Sequence, residues 1–295
     1  MKRRAMSRRD FLKGTAVVVA ATALGAGVSS KGGAEDGAMA VLVRDRDVLA
    51  EGGDIRANVL QSMLDEAVKK LLGKDDGLKA WRALFKESDV VGIKSNSWHN
   101  LPTPPEMEEA IRRRLLDVGV REENVAVADR GVLSHPVFLR STALVNTRPL
   151  RTHHWAGVGS LLKNYIQFVP TPSDYHPNGC ADLGRIWTLP HVKGKTRLNV
   201  LVALTPQFYG RGANFFDRRY VWPYKGIVVG TDPVAVDAVG AEILRLKRIA
   251  TFGEDRPLDV APLHIAQADK VYRLGVSELS RIRIVKVGWT DESLV

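Results

Sequence analysis

The alternation of apolar and polar positions predicts strands and helices that take turns along the chain. In IRANVLQSMLDEAVKKLLG, residues 55–73, apolar Val59, Met63, Ala67 and Leu71 recur at one helical turn, with Asp54 placed to cap the start and Gly73 to stop it. A second short helical piece carries Trp81, Leu84 and Phe85. Residues 89–94 of DVVGIKSN read as a strand apolar on both faces, as a covered parallel strand is. Thr103-Pro104-Pro105-Glu106 then predicts a helix start, with Thr103 as N-cap, Pro104 at the first helical position and Glu106 completing a capping box. That helix runs to 117 or 118, where Gly119 ends it, and NVAVAD supplies the next strand, 124–128. Strand, helix and strand make a β-α-β unit with an expected right-handed crossover.

Residues 143–145 read as the end of another buried strand, and Asn146-Thr147-Arg148-Pro149 as the loop leaving it, because proline breaks a strand pattern. Gly157 and Gly159 lead into a short helix around Leu161, which must start as late as Ser160 to bring Lys163 and Asn164 near its N-terminus. Two long polar loops are predicted, 169–195 and 205–225, separated by the strand RLNVLVAL from Arg197. GIVVG is a short strand ending at Thr231-Asp232-Pro233, followed by a helix over 234–246 that buries Val236, Val239, Ile243 and Leu246. A helix near 264–274 and a strand RIRIVKVG finish the chain. This order predicts a three-layer α/β domain with a mostly parallel central sheet over residues 41–295, and a polar cleft at the carboxyl edge of its strands.

The first 40 residues stand apart from this pattern. A basic stretch with Arg8-Arg9-Asp10-Phe11-Leu12-Lys13 precedes a moderately apolar Ala/Gly-rich run, which is the layout of an export signal. The paired arginines followed by Phe11-Leu12-Lys13 resemble a twin-arginine signal, which implies folding before export to the periplasm and a partnership with the twin-arginine machinery. The apolar run is shorter than the ~20 residues of a spanning helix. Processing is expected after Ala21-Thr22-Ala23 or after Ala38-Met39-Ala40, the second being preferred. Of the formal charge of +10, the leader holds +4, seven Lys/Arg less three acids, so the remainder keeps +6. These basic residues are scattered rather than striped, which disfavours nucleic acid and leaves phosphates or carboxylates as partners. Cys180 is the only cysteine, so neither an intrachain disulfide nor a self-contained cysteine-ligated iron-sulfur cluster can form.

Lys94-Ser95-Asn96, Asp129-Arg130, RPLRTHHWAGVGSLLKN and above all TDPVAVDAVG, residues 231–240, together resemble domain-of-unknown-function family 362 over most of residues 41–287. The resemblance implies a fold more than a chemistry. Some relatives carry cysteine-rich ferredoxin-like modules, which implies association with redox processes; this chain lacks those cysteines and is similar to the exported branch of the family.

Candidate chemistry lies after successive predicted strands. Lys94, Asn96, Arg148, Arg151, Lys163 and Asn164 could hold a small acidic or phosphorylated ligand, with His153 transferring protons and Asp129 or Asp237 orienting a base or a metal. Adjacent His153 and His154 should point in opposite directions if the segment is extended. His176, Cys180 and Asp182 form a second polar group, and His153, His176, Cys180 and Asp237 contain the atoms for a divalent transition metal, although no compact ligand pair appears. Asp232 is placed to cap the helix that follows it, whereas Asp237, between Val236 and Ala238, needs a cation or donor if buried. No dinucleotide fingerprint, P-loop or nucleophile elbow occurs. The expectation is therefore an exported metal- or anion-dependent enzyme acting on a small acidic substrate. The alternative is a non-catalytic periplasmic binding or accessory protein associated with a redox complex, which exposed Trp187, Phe215, Phe216, Tyr220 and Trp222 would favour.

Overall fold

The structure, a computed structural model, describes residues 37–295; the predicted leader lies outside them except for its last four positions. Among the described residues eight strands form one sheet: β1 Ala38–Arg44, β2 Val91–Lys94, β3 Val125–Ala128, β4 Ala143–His153, β5 Gly157–Gly159, β6 Thr196–Gln207, β7 Gly226–Gly230 and β8 Ile282–Gly288. The strand order is β3-β2-β4-β6-β7-β1-β8, with β5 paired to β4. Nine α-helical segments accompany them among the described residues: α1 Ala57–Leu72, α2 Gly77–Leu84, α3 Pro105–Asp117, α4 Pro136–Leu139, α5 Leu161–Asn164, α6 Pro177–Cys180, α7 Leu183–Trp187, α8 Pro233–Phe252 and α9 Leu263–Lys270.

Three layers follow from strand alternation. Val41, Val43, Ile93, Val145, Val200 and Val229 face one side, where Leu60 and Leu64 of α1, Trp81 of α2 and Met107 and Ile111 of α3 bury them. Leu42, Leu144, Leu201 and Val228 face the other, under Leu161, Ile186, Val239 and Ile265 of α5, α7, α8 and α9. Each fully buried aliphatic side chain adds about 1.5–3 kcal/mol, and this two-sided burial explains why the strands read as continuous apolar runs.

The sheet is mostly parallel. β2 pairs in parallel with β3 and β4, β4 with β6, and β1 with β8. β7 runs against both β6 and β1. Thr231-Asp232-Pro233 therefore emerges at the edge opposite the ends of β2 and β4, and α8 must run back beneath the sheet to reach them.

Several local expectations change in three dimensions. Residues 146–149 belong to β4, which continues through Pro149 to His153. The ladder to β2 ends at Asn146, so on that side Pro149 has no strand partner, while on the other it stays in register with Val202 of β6 before the register shifts between Pro149 and Arg151. Arg56, not Asp54, occupies the N-cap of α1, without a side-chain cap, whereas Gly73 ends the helix at φ 60° as expected. Pro104 is the N-cap of α3, and the Thr103 hydroxyl instead accepts the Asn96 amide at 3.2 Å. The 169–195 segment contains α6 and α7 rather than only loop. Ala38-Met39-Ala40, the preferred processing motif, is paired within β1 against Ile282–Ile284 of β8, and Ala40 is buried.

Candidate functional site

Parallel pairing of β2 and β3 brings Lys94 opposite Ala128, one residue before Asp129. The fully buried Lys94 Nζ donates to Asp129 Oδ1 at 2.8 Å, to the Ser95 carbonyl at 2.5 Å and to Asn164 Oδ1 at 3.4 Å. The other Asp129 oxygen accepts the Ser97 amide and hydroxyl at 3.1 and 2.9 Å. Burial draws the Lys94 ammonium down to about 8 despite Asp129. Burial also works to raise the Asp129 carboxyl, but Lys94 and the Ser97 donors hold it below its ordinary value. The pair is ionised at neutral pH. Asn164 locks α5 to this corner by donating to Lys94 O, Asn146 Oδ1 and Thr147 O at 2.8–3.1 Å.

From β4, Arg148 donates to the Ser160 carbonyl at 3.3 Å, and Arg151 to Leu101 O at 2.6 Å and Asn96 Oδ1 at 3.0 Å. The Nε of each arginine is buried without a partner among the described residues. Burial pulls Arg148 down to about 10, and burial and Arg148 push Arg151 down as well.

His153 closes β4. Its Nδ1 accepts the Trp155 amide at 3.1 Å, so the neutral ring carries its hydrogen on Nε2. Burial, then Arg148 and Lys163, hold its pKa well below the usual imidazole range. The ring is thus a neutral hydrogen-bond donor, with its basic nitrogen occupied, and is oriented by a backbone amide rather than by Asp129 or Asp237. His153 and His154 stack, with ring centroids 4.8 Å apart and planes 7° apart, contrary to the opposed directions expected of a continuing strand. The strand ends at His153, and the turn to β5 realigns the next side chain. Gly157, at φ 69°, suits that turn, since a Cβ there would lie 2.3 Å from the Val260 carbonyl oxygen. Trp155 continues the stack to His176, at 3.9 Å.

Asp237 is fully buried and accepts the amides of Leu161 and Leu162 at 2.9 and 2.8 Å, capping α5 from a neighbouring helix. Burial raises its pKa to about 6, against those donors and Arg148. Asp232 accepts the Val234, Ala235 and Val276 amides, so it caps α8 as expected and also anchors residue 276.

These elements enclose a cavity of about 160 Å³ lined by Asn96, Asp129, Arg130, Arg148, Arg151, His153, His154, Trp155, Lys163, Asn164 and His176, with Trp98, Ile166, Gln167, Pro172 and Asn214 completing the wall. One water needs about 10–15 Å³ on such a measure, so the space admits a small organic anion. Four cations and one carboxylate lie on its wall, and that carboxylate is already matched by Lys94 beneath. Eight of the predicted site residues meet here. Lys94 lies directly behind the wall, while Cys180 and Asp237 do not line it.

The proposed metal set is not assembled. Among the described residues no three His, Cys, Asp or Glu side chains converge as a metal site. Asp237 is committed to α5, and the Cys180 sulfur contacts the Trp155 and His176 carbonyls at 3.5 and 3.8 Å. Burial raises the Cys180 pKa even though Lys163 and Arg148 oppose it, leaving a thiol. Pattern reading did not single out Trp155, Gln167 or Asn214; only Trp155, beside two histidines, carried a local signal.

A family model described as a domain of unknown function, DUF362, matches residues 92–242, just over half of the 295-residue chain. The chain belongs to this family. The matched span runs from β2 into α8 and contains every residue lining the cavity, a narrower span than the 41–287 expected. A twin-arginine translocation pathway signal sequence matches residues 5–25, so this family member is exported to the periplasm or another extracytoplasmic space. Comparison with curated proteins and with solved structures returned no match. No helix among the described residues is long and apolar enough to cross a membrane.

Proposed function

We propose that this exported protein is an enzyme for a small acidic substrate, a carboxylate or phosphate. The observation that carries the reading is the excess of buried positive charge around one cavity. Arg148, Arg151 and Lys163 are each at most 4% exposed, yet none forms an ion pair with a carboxylate among the described residues. Asp129 lies near enough to act on Arg148 and Arg151 but is ion-paired with Lys94, and Asp237, which also acts on Arg148, is already held by two amides. Burying unpaired charge is costly, and an anionic ligand would supply the missing partner. Lys94 and Asp129 hold the floor, Arg148 and Arg151 the acidic group, and the His153 Nε2–H would donate to oxygen where negative charge develops. Proton transfer by His153 is disfavoured because its lone pair is taken by Trp155.

A metal-dependent version has less support, since the four candidate ligands do not converge. The accessory-protein alternative also has less support. Trp187 is buried, and Tyr220 and Trp222 pack on Phe208, leaving Phe215 as the exposed member of the proposed aromatic surface.

Thermal unfolding of the mature protein with oxalate, malonate, phosphate or sulfate, against chloride at matched ionic strength, tests the reading. A saturable rise is expected for at least one dianion, reaching about 2.7 kcal/mol at a hundred times Kd, and Arg148→Met should abolish it. Indistinguishable curves in dianion and chloride would refute the anion site.

A further inference from the structure

Two buried lysines sit at this cavity, and their surroundings differ. Lys94 has three acceptors, Asp129, the Ser95 carbonyl and Asn164, so all of its N–H bonds are directed and its charge is matched. Lys163 lines the cavity itself, is 3% exposed and has no carboxylate partner among the described residues. The Cys180 sulfur lies within hydrogen-bonding reach of its amine. Its charge acts on His153, His154, His176 and His264, which places the amine among four imidazoles kept neutral by burial and by neighbouring cations. A lysine that is desolvated beside another cation, here Arg148, gives up its proton readily and becomes an amine nucleophile.

We infer that Lys163 is a covalent catalytic residue that forms an imine with the carbonyl of a 2-oxo acid whose carboxylate is held by Arg148 and Arg151. This rests on the anionic-substrate reading above and names its substrate class. The class follows from the neighbours: an amine reacts with a carbonyl carbon, guanidinium forks recognise a carboxylate, and the small cavity brings both groups to one short molecule. The amine lone pair attacks the carbonyl carbon while the C–O π bond breaks, and one amine proton passes to that oxygen. A proton from solvent then lets the hydroxyl depart as water, and the nitrogen lone pair closes the C=N bond of a protonated imine. The His153 Nε2–H stabilises the oxygen in the first step as a hydrogen-bond donor, without losing its proton. Lys94 cannot take this role, because Asp129 and two further acceptors hold its ammonium.

Trapping tests the assignment. The mature protein is incubated with pyruvate or with glyoxylate and reduced with borohydride, which delivers hydride to the imine carbon. Peptide mass mapping should find Lys163 heavier by the mass of the probe less one oxygen. Oxalate should protect it, Lys163→Arg should remove the adduct, and Arg148→Met should lower labelling at least tenfold. Stabilisation by oxalate without a Lys163 adduct from either probe would overturn the imine and leave the anion site standing. Absence of both would overturn the two together, and labelling spread equally over surface lysines in wild type and Lys163→Arg would overturn the imine. Should Lys163→Arg fail to give a wild-type circular dichroism spectrum, the mapped position in the wild-type protein decides alone.

Discussion

Replacing Lys163 with Met should stabilise the ligand-free protein, an uncommon outcome for a change at a buried position. Burial is the largest influence on the Lys163 amine and Arg148 adds to it, so the folded-state pKa falls to about 8 from an ordinary 10.5. At ~1.36 kcal/mol per pH unit, holding this amine charged in the fold costs on the order of 3 kcal/mol at pH 7. Met is unbranched and similar in length, and its imperfect fit should return at most ~1.5 kcal/mol of that gain. A net gain of about 1.5–3 kcal/mol corresponds to a rise of roughly 3–12 °C in Tm for a domain of this size. The sign of the pH dependence is definite. Between about 8 and 10.5 the unfolded chain keeps the Lys163 proton that the folded protein has released, so wild-type stability from this group rises with pH. The advantage of Lys163→Met should therefore be largest at pH 7 and smaller by roughly 1 kcal/mol or more at pH 9. Paired thermal or urea unfolding at the two pH values measures it. A variant less stable than wild type at pH 7, with a difference that does not move by pH 9, would show that Lys163 has an effective counter-charge in the fold and would remove the basis for an anion-seeking cavity.

Asp129→Asn should cost roughly 3–5 kcal/mol, because it leaves the fully buried Lys94 without its counter-charge, and adding Lys94→Met should restore most of the loss in a double-mutant cycle of urea unfolding. Asp237→Asn should cost about 1–3 kcal/mol at pH 7, since an amide oxygen cannot serve both the Leu161 and Leu162 donors without turning an NH₂ toward one of them. Faster hydrogen exchange at those two amides would locate the loss at α5, and unchanged exchange there would refute the capping role. Asp232→Ala should lower stability by about 2 kcal/mol or more in urea unfolding, the upper end for an N-cap, because Val276 loses its acceptor along with the start of α8.

Local signals survived into the structure where they depend only on near neighbours in sequence. The turn-spaced apolar stripe before Gly73 became α1, the doubly apolar run before Ser95 became β2, NVAVAD became β3, and Asp232-Pro233 became the start of α8. The alternation of these segments was enough for a three-layer, mostly parallel α/β fold, and the paired arginines were enough for export. The site was legible as a set of residues following strands, which is why eight of them meet at one cavity. Their roles were not legible, because a role depends on what a side chain faces across the fold. Pro149 announced a loop by its own chemistry, yet β4 passes through it because the partner ladder on one side has already ended. The direction of β7 is set by its neighbours in the sheet, and it sends α8 back from the opposite edge so that Asp237 meets the amides of α5 instead of a ligand. Likewise, the difference between Lys94, matched by Asp129, and Lys163, matched by no carboxylate among the described residues, is a matter of contacts between distant segments. Helical period and capping are encoded within a turn or two of chain. Compensation of buried charge is decided only when the layers close.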